Sequence, residues 1–155
     1  MQSNIAPLVL AGLLAGATTA QAASTFEGEW AVNVGESKYP PGFPPVHDHR
    51  MQVTKDDGTH VQYMDNFTVG DRPPSHVSHD GAYDGKSYKA SDGQMMAYFH
   101  TKTSYRDEYT LANGIKGEDE CDFSADGKIM TCHGQFTPPG AKEPVTFLEV
   151  WDRTK

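Results

Sequence analysis

The sequence predicts an all-β domain closed as an antiparallel barrel. Three observations carry this. No segment shows a helical apolar stripe, strand-type runs recur along the chain, and turn residues fall between them at short intervals. Nine or ten short strands result, mostly joined by tight turns. Strands so joined are antiparallel neighbours. Many of them at even spacing make a sandwich or a barrel. Closure is favoured, because an open meander of this length exposes two unpaired edges.

The elements follow in order. Phe26 to Val34 alternates, with Phe26, Gly28, Trp30, Val32 and Val34 on one face. Pro40-Pro41-Gly42-Phe43-Pro44-Pro45 cannot be regular sheet and is expected as a stiff loop. His47 to Thr54 and Thr59 to Val69 are strands around the Asp56-Asp57-Gly58 turn. His76 to Tyr83 follows, then the Asp84-Gly85 turn and a short Lys86 to Ala90 strand. Met95 to Lys102 and Tyr105 to Leu111 come next, then Ile115 to Phe123 after the Asn113-Gly114 turn. Ile129 to Thr137 and, after Pro138-Pro139-Gly140, Val145 to Asp152 close the chain. Asp126-Gly127 is a two-residue hairpin signal. Counting outward from it pairs Ala125 with Lys128 and then Cys121 with Cys132. A disulfide between these cysteines is therefore expected.

Residues 1–22 read as a cleaved secretory signal peptide. The segment lacks Lys, Arg, Asp and Glu, has an apolar middle from Ile5 to Ala17, and ends in Ala20-Gln21-Ala22. It departs from the usual pattern in having no basic residue before the apolar run. The apolar run is too short for a permanent membrane span. Residues 23–155 then form a single domain in the periplasm or outside the cell, where a disulfide persists. That domain carries the whole formal net charge of -8. An acidic domain without a Lys/Arg cluster is a poor partner for nucleic acid or an anionic membrane. Nucleophile-elbow, phosphate-loop and dinucleotide motifs are absent from the sequence, so no cofactor is expected.

Phe26-x-Gly28-x-Trp30-x-Val32-Asn33-Val34, then Ser37-Lys38 and the Pro/Gly-rich stretch, resembles the opening of lipocalin-like domains of exported bacterial proteins. Tyr83-Asp84-Gly85-Lys86-x-Tyr88 and Ala125-Asp126-Gly127-Lys128-x-Met130-Thr131 are similar to motifs of the same domains. The resemblance implies a lipocalin-like up-and-down barrel with an interior cavity. It implies no particular reaction, because fold does not fix function.

Strand alternation assigns faces. It turns inward Trp30; His47, His49, Met51 and Val53; Tyr63, Asp65 and Phe67; His79 and Tyr83; Tyr105, Asp107 and Tyr109; and Asp119, Cys121 and Phe123 with Met130, Cys132 and Phe136. His100 and Glu149 lie on strands whose faces are equally apolar, so they stay unassigned. Buried ionisable groups are costly unless paired or hydrated, and such clusters mark functional sites. The first functional expectation is binding of a small aromatic or cyclic molecule. Trp30, His47, Phe67, Tyr83, Tyr105 and Tyr109 would hold it. The alternative is a cofactor-independent lyase, isomerase or dehydratase. There His79, His49, Asp65 and Asp107 would move a proton and Tyr63 would steady an oxyanion. A third reading is a structural envelope domain with a filled core. His47, His49 and His79 also form a three-imidazole zinc alternative, but without a spaced Cys/His signature no metal is expected.

Overall fold

The computed structural model describes residues 25–101 and 103–155. The expected signal peptide, residues 1–22, lies outside the described residues. Among the described residues no helix is long and apolar enough to cross a membrane.

The chain forms ten strands: β1 Gly28–Val32, β2 Val46–Asp56, β3 His60–Val69, β4 Ser75–Ala82, β5 Tyr88–Lys89, β6 Met95–His100, β7 Ser104–Thr110, β8 Lys116–Phe123, β9 Ile129–Thr137 and β10 Val145–Arg153. All belong to one antiparallel sheet of order β4-β3-β2-β1-β10-β9-β8-β7-β6-β5. The first strand pairs with the last, and the two ends of the sheet meet at β4 and β5–β6. There Ser91 donates to the Ser78 carbonyl at 3.0 Å, and Ser78 N–H donates to the Ser91 hydroxyl at 2.8 Å. Tyr98 reinforces the seam. Its ring lies against Gly81 of β4, in space that a Cβ would claim. The expected up-and-down barrel is the observed fold.

Two bulges in β2 decide what faces inward. The register shifts between Val46 and Asp48, and again between Val53 and Lys55. Each inserted residue reverses the alternation. The first bulge leaves His47 exposed on the outer wall, which corrects its expected inward position. The second swings Asp56, read from the sequence as a turn residue, into the buried interior.

The lower end of the barrel is packed shut. Phe26 is fully buried there and stacks near Tyr105, with ring centroids 4.6 Å apart. Trp30 donates its indole N–H to the Phe26 carbonyl at 2.9 Å, and the Arg153 guanidinium covers its ring at 4.7 Å. Trp30 and Tyr105 therefore build the floor rather than a ligand wall. Tyr83 is likewise held low, donating to Asp56 Oδ1 at 3.1 Å and stacking on His100. Trp30, Tyr83 and Tyr105, expected as ligand contacts, thus lie toward the packed end of the barrel. Val34, expected on the Trp30 face, lies in the turn beyond β1 and is exposed.

Cys121 and Cys132 are register partners on β8 and β9 and are joined by a disulfide. The hairpin register is the expected one, but the tip is wider than two residues. Ser124 pairs with Ile129, and Gly127 N–H closes the turn onto the Ser124 carbonyl at 2.9 Å. Gly127 has φ 66°, a conformation that favours glycine.

The bond closes a loop with a sequence separation of 11. Cys121→Ala/Cys132→Ala is expected to lose about 3 kcal/mol on the chain-entropy estimate. Thermal unfolding by circular dichroism should show a midpoint lower by roughly 10 °C. An unchanged midpoint would show that the staple adds nothing to the ladder.

Candidate functional site

Above the floor the inward faces turn polar. β2 supplies His49, β3 Asp65, β4 His79, β7 Asp107, β8 Asp119 and β10 Glu149, all at inward register positions. His49 lies between two carboxylates. Its Nε2 is 3.6 Å from Asp65 Oδ1 and its Nδ1 is 3.8 Å from Glu149 Oε1. Asp65 also faces the second imidazole, with Oδ2 3.4 Å from His79 Nε2. His79 stacks flat on Tyr63 at 4.2 Å, and its Nδ1 is 3.4 Å from the Tyr98 hydroxyl. Tyr105 donates to the Tyr63 hydroxyl at 3.4 Å. A chain of polar groups thus runs from Glu149 through His49, Asp65 and His79 to Tyr98.

Electrostatics divides this set in two. Burial lowers the pKa of His49, but the carboxylates of Asp65 and Glu149 outweigh it and lift the imidazole to about 10. Burial raises Asp65, yet His49 and His79 together hold it below the ordinary carboxylate range. His49 and Asp65 are thus an ion pair. Asp107 and Asp119 are register partners with no such counter-ion. Burial, with Asp65 adding to it, pushes Asp107 up to about 7. Burial, with the charges of Asp107 and Glu149, lifts Asp119 well above the usual range. One half of the cluster is ionic, and in the other burial shifts both acids toward the protonated form.

The upper end is open by comparison. Phe67, Tyr109, Phe136 and Phe147 point inward there and are only half-buried. The proline-rich segment lies over this mouth. Tyr39 and Phe43 stack at 5.2 Å, Phe43 meets Phe136 at 6.2 Å, and Tyr39 donates to Glu149 Oε1 at 2.8 Å. Clefts of about 410 and 1000 Å³ lie on the outer wall, lined chiefly by outward residues such as Glu118 and Gln135.

The structure brings His49, His79, Asp65, Asp107 and Tyr63 together, with Phe67 and Tyr109 above them. It leaves His47, Trp30 and Tyr83 apart, while Tyr105 touches the cluster through the Tyr63 hydroxyl. With His47 outside, the three-imidazole alternative is not assembled. Among the described residues no group of His, Cys, Asp or Glu is disposed to hold a metal ion. Sequence reasoning missed Glu149, Trp151, Phe147, Tyr98 and the reach of Tyr39. The hidden signal is strand phase. Once Trp151 is fixed as core, Glu149 and Phe147 must share its face, but Leu148 and Val150 make the other face equally apolar.

In sequence the chain matches no family model and no curated protein. In structure it is similar to EF1p2_mFAP2b, solved bound to DFHBI. The identity is 9%, the match covers 86% of this chain and 98% of that one, and the TM-score is 0.55. It is also similar to two point variants of the fluorescent protein UnaG at 10% identity, with TM-scores of 0.54 and 0.53. Those matches cover 84% of this chain and 97% and 96% of theirs. At such identities the likeness shows the barrel fold alone.

Asp107 generates a pH prediction. Its folded pKa is raised, so the folded state binds more protons than the unfolded one between the ordinary carboxylate pKa and about 7. Its contribution to stability is full below the unfolded value and falls as pH rises through this window. Asp107→Asn removes that loss. Urea unfolding should show the variant gaining on the parent by a few kcal/mol, about 1.4 per pKa unit, between pH 4 and pH 7. Parallel pH profiles would contradict a buried protonated acid.

Proposed function

We propose that this chain is an exported binding protein that admits one small cyclic or aromatic molecule through the barrel mouth. The molecule's polar group would rest on the mid-barrel cluster. One observation carries the reading. Asp107 Oδ1, Asp119 Oδ1 and Trp151 Nε1 are buried without a hydrogen-bond partner in the protein. Each such group costs about 1–3 kcal/mol, and a ligand with matching donors and acceptors offsets that cost. Phe67, Tyr109, Phe136 and Phe147 supply apolar ring faces beside them, the usual make-up of a small-molecule site. The barrel likeness to a protein solved with DFHBI supports this use of the fold. The Cys121–Cys132 disulfide and the signal-like residues 1–22 support export.

The test is a titration of intrinsic tryptophan fluorescence with indoles, phenols, quinones and ring-bearing amines. Saturable binding is expected for one class. Trp151→Phe and Asp119→Asn should each weaken it about tenfold, the loss of one good hydrogen bond. His47→Ala, on the outer wall, should leave affinity unchanged. A panel that yields no saturable binding would overturn the reading.

A second reading, a cofactor-free lyase or isomerase, has its own support. His79 stands between Asp65 and Tyr98, and Asp107 is held near neutrality at about 7, as general acid–base work requires. If the protein turns its ligand over, Asp65→Asn should reduce the rate at least about a hundredfold while the variant stays folded. Mass spectrometry of ligand recovered after long incubation checks this. Chemically unchanged ligand would remove the enzymatic reading and leave the binding one.

A further inference from the structure

The carboxyls of Asp107 and Asp119 sit opposite each other on β7 and β8 and both face inward. Asp107 is only 6% exposed, and its Oδ1 has no hydrogen-bond partner in the protein. Asp119 Oδ1 is in the same condition. The next strand in that row carries Gly134. The space a Cβ would fill there is taken by the Phe147 ring and by the Asp119 carboxyl, which places an aromatic ring beside the acid. Tyr109 is two residues from Asp107 on the same inward face. Two acids flanked by ring faces are the chemistry that receives an organic cation. Carboxylates supply the charge-assisted hydrogen bonds and the ring faces the cation–π attraction.

The rest of the interior excludes the opposite charge. Among the described residues no Lys or Arg faces the inside above the floor. Arg106 points outward over Phe99 at 4.0 Å, and Arg153 lies on Trp30. The inward ionisable groups around the pair are Asp65, Glu149, His49, His79 and the tyrosines 63, 98, 105 and 109. Of these, His49 is already matched by Asp65 and Glu149. An anionic ligand would meet carboxyls without a free positive partner. The formal net charge of -8 favours approach of a cation over long range.

We infer that the ligand class of this site is a protonated amine or amidine on a planar ring, its cation seated between Asp107 and Asp119 and its ring against Phe147 and Tyr109. The inference rests on the mouth-binding reading above and names the polar group which that reading leaves open. Because burial shifts both acids toward the protonated form, seating a cation shifts them back toward the charged form and releases a proton to solvent. Affinity therefore rises with pH, until Asp107, held near 7 when empty, ionises without help.

Calorimetry on the disulfide-intact chain tests this with matched probes: benzamidine against benzamide and benzoate, and tryptamine against indole and indole-3-acetate. The cations should bind at least about tenfold more tightly than their neutral isosteres, the worth of one charge-assisted bond. Repeating the titration at pH 6 in buffers of different ionisation enthalpy should show net proton release with the cations and none with the neutral probes. Asp119→Asn should erase most of the cation preference and reduce the proton release, while leaving indole affinity within about threefold, since it removes charge and keeps shape. The variant keeps the size and shape of the side chain, and circular dichroism checks that it folds. Equal or tighter binding of the neutral or anionic members would overturn the cation assignment and leave the mouth-binding reading intact. Binding of none of the probes would overturn both.

Discussion

The imidazole of His49, held between Asp65 and Glu149, sets the terms for the rest of this barrel. A charged ring in this mostly buried place is stabilised by opposite charge beside it. β2, β3 and β10 converge to provide it, at 3.6 and 3.8 Å. Once those two carboxylates are committed to His49, the remaining acids have no counter-ion. Asp107 and Asp119 then respond to burial and to the neighbouring carboxyls, and both are shifted toward the protonated form. The split into an ionic half and an acidic half is thus one electrostatic arrangement rather than two.

Such a cluster needs a rigid shell, and the shell is aromatic. The floor of Phe26, Trp30, Tyr105 and Phe123 seals the lower end without relying on the polar groups. The seam between β4 and β6 is closed by Tyr98 lying against Gly81, so the same side chain that shuts the barrel also reaches His79. At the top, Tyr39 ties the proline-rich strap to Glu149, which in turn faces His49. Closure, strap and ion pair are coupled through single side chains. A change in one is felt in the others, as expected when polar groups in a low-dielectric interior share partners.

The fold was largely legible in the sequence because its signals are local. Alternation and turn residues marked every strand from β1 to β10, and the Asp126-Gly127 turn with the cysteine spacing gave the β8–β9 register. The site was legible where alternation ran unbroken, as at Tyr63, Asp65 and Phe67, at His79, and at Asp107 and Tyr109. It failed where the chain carries an extra residue. The bulge after Val46 put His47 outside, and the one after Val53 brought Asp56 in. Neither leaves a mark in residue type. It also failed where both faces of a strand are apolar. On β6 and β10, Phe99 and Leu148 hide the phase that would have revealed Tyr98 and Glu149. Depth was the last gap. Alternation separates inside from outside but not floor from mouth, so Trp30 and Tyr105 looked like ligand walls until the barrel end they occupy was known.

Depth is also what makes the polar middle tolerable. The aromatic floor lies below the cluster, and the disulfide joins β8 to β9 two register pairs below Asp119. The acids stand directly above this cross-linked base. Their positions are set by strands that cannot spread to relieve the unpaired oxygens or admit bulk solvent from beneath. One oxygen of each of Asp107 and Asp119 therefore stays without a protein partner in the folded state. On the binding reading, a group entering from above is the partner that completes them. A floor built of Asp and His with a greasy mouth would place the same residues where nothing could reach them.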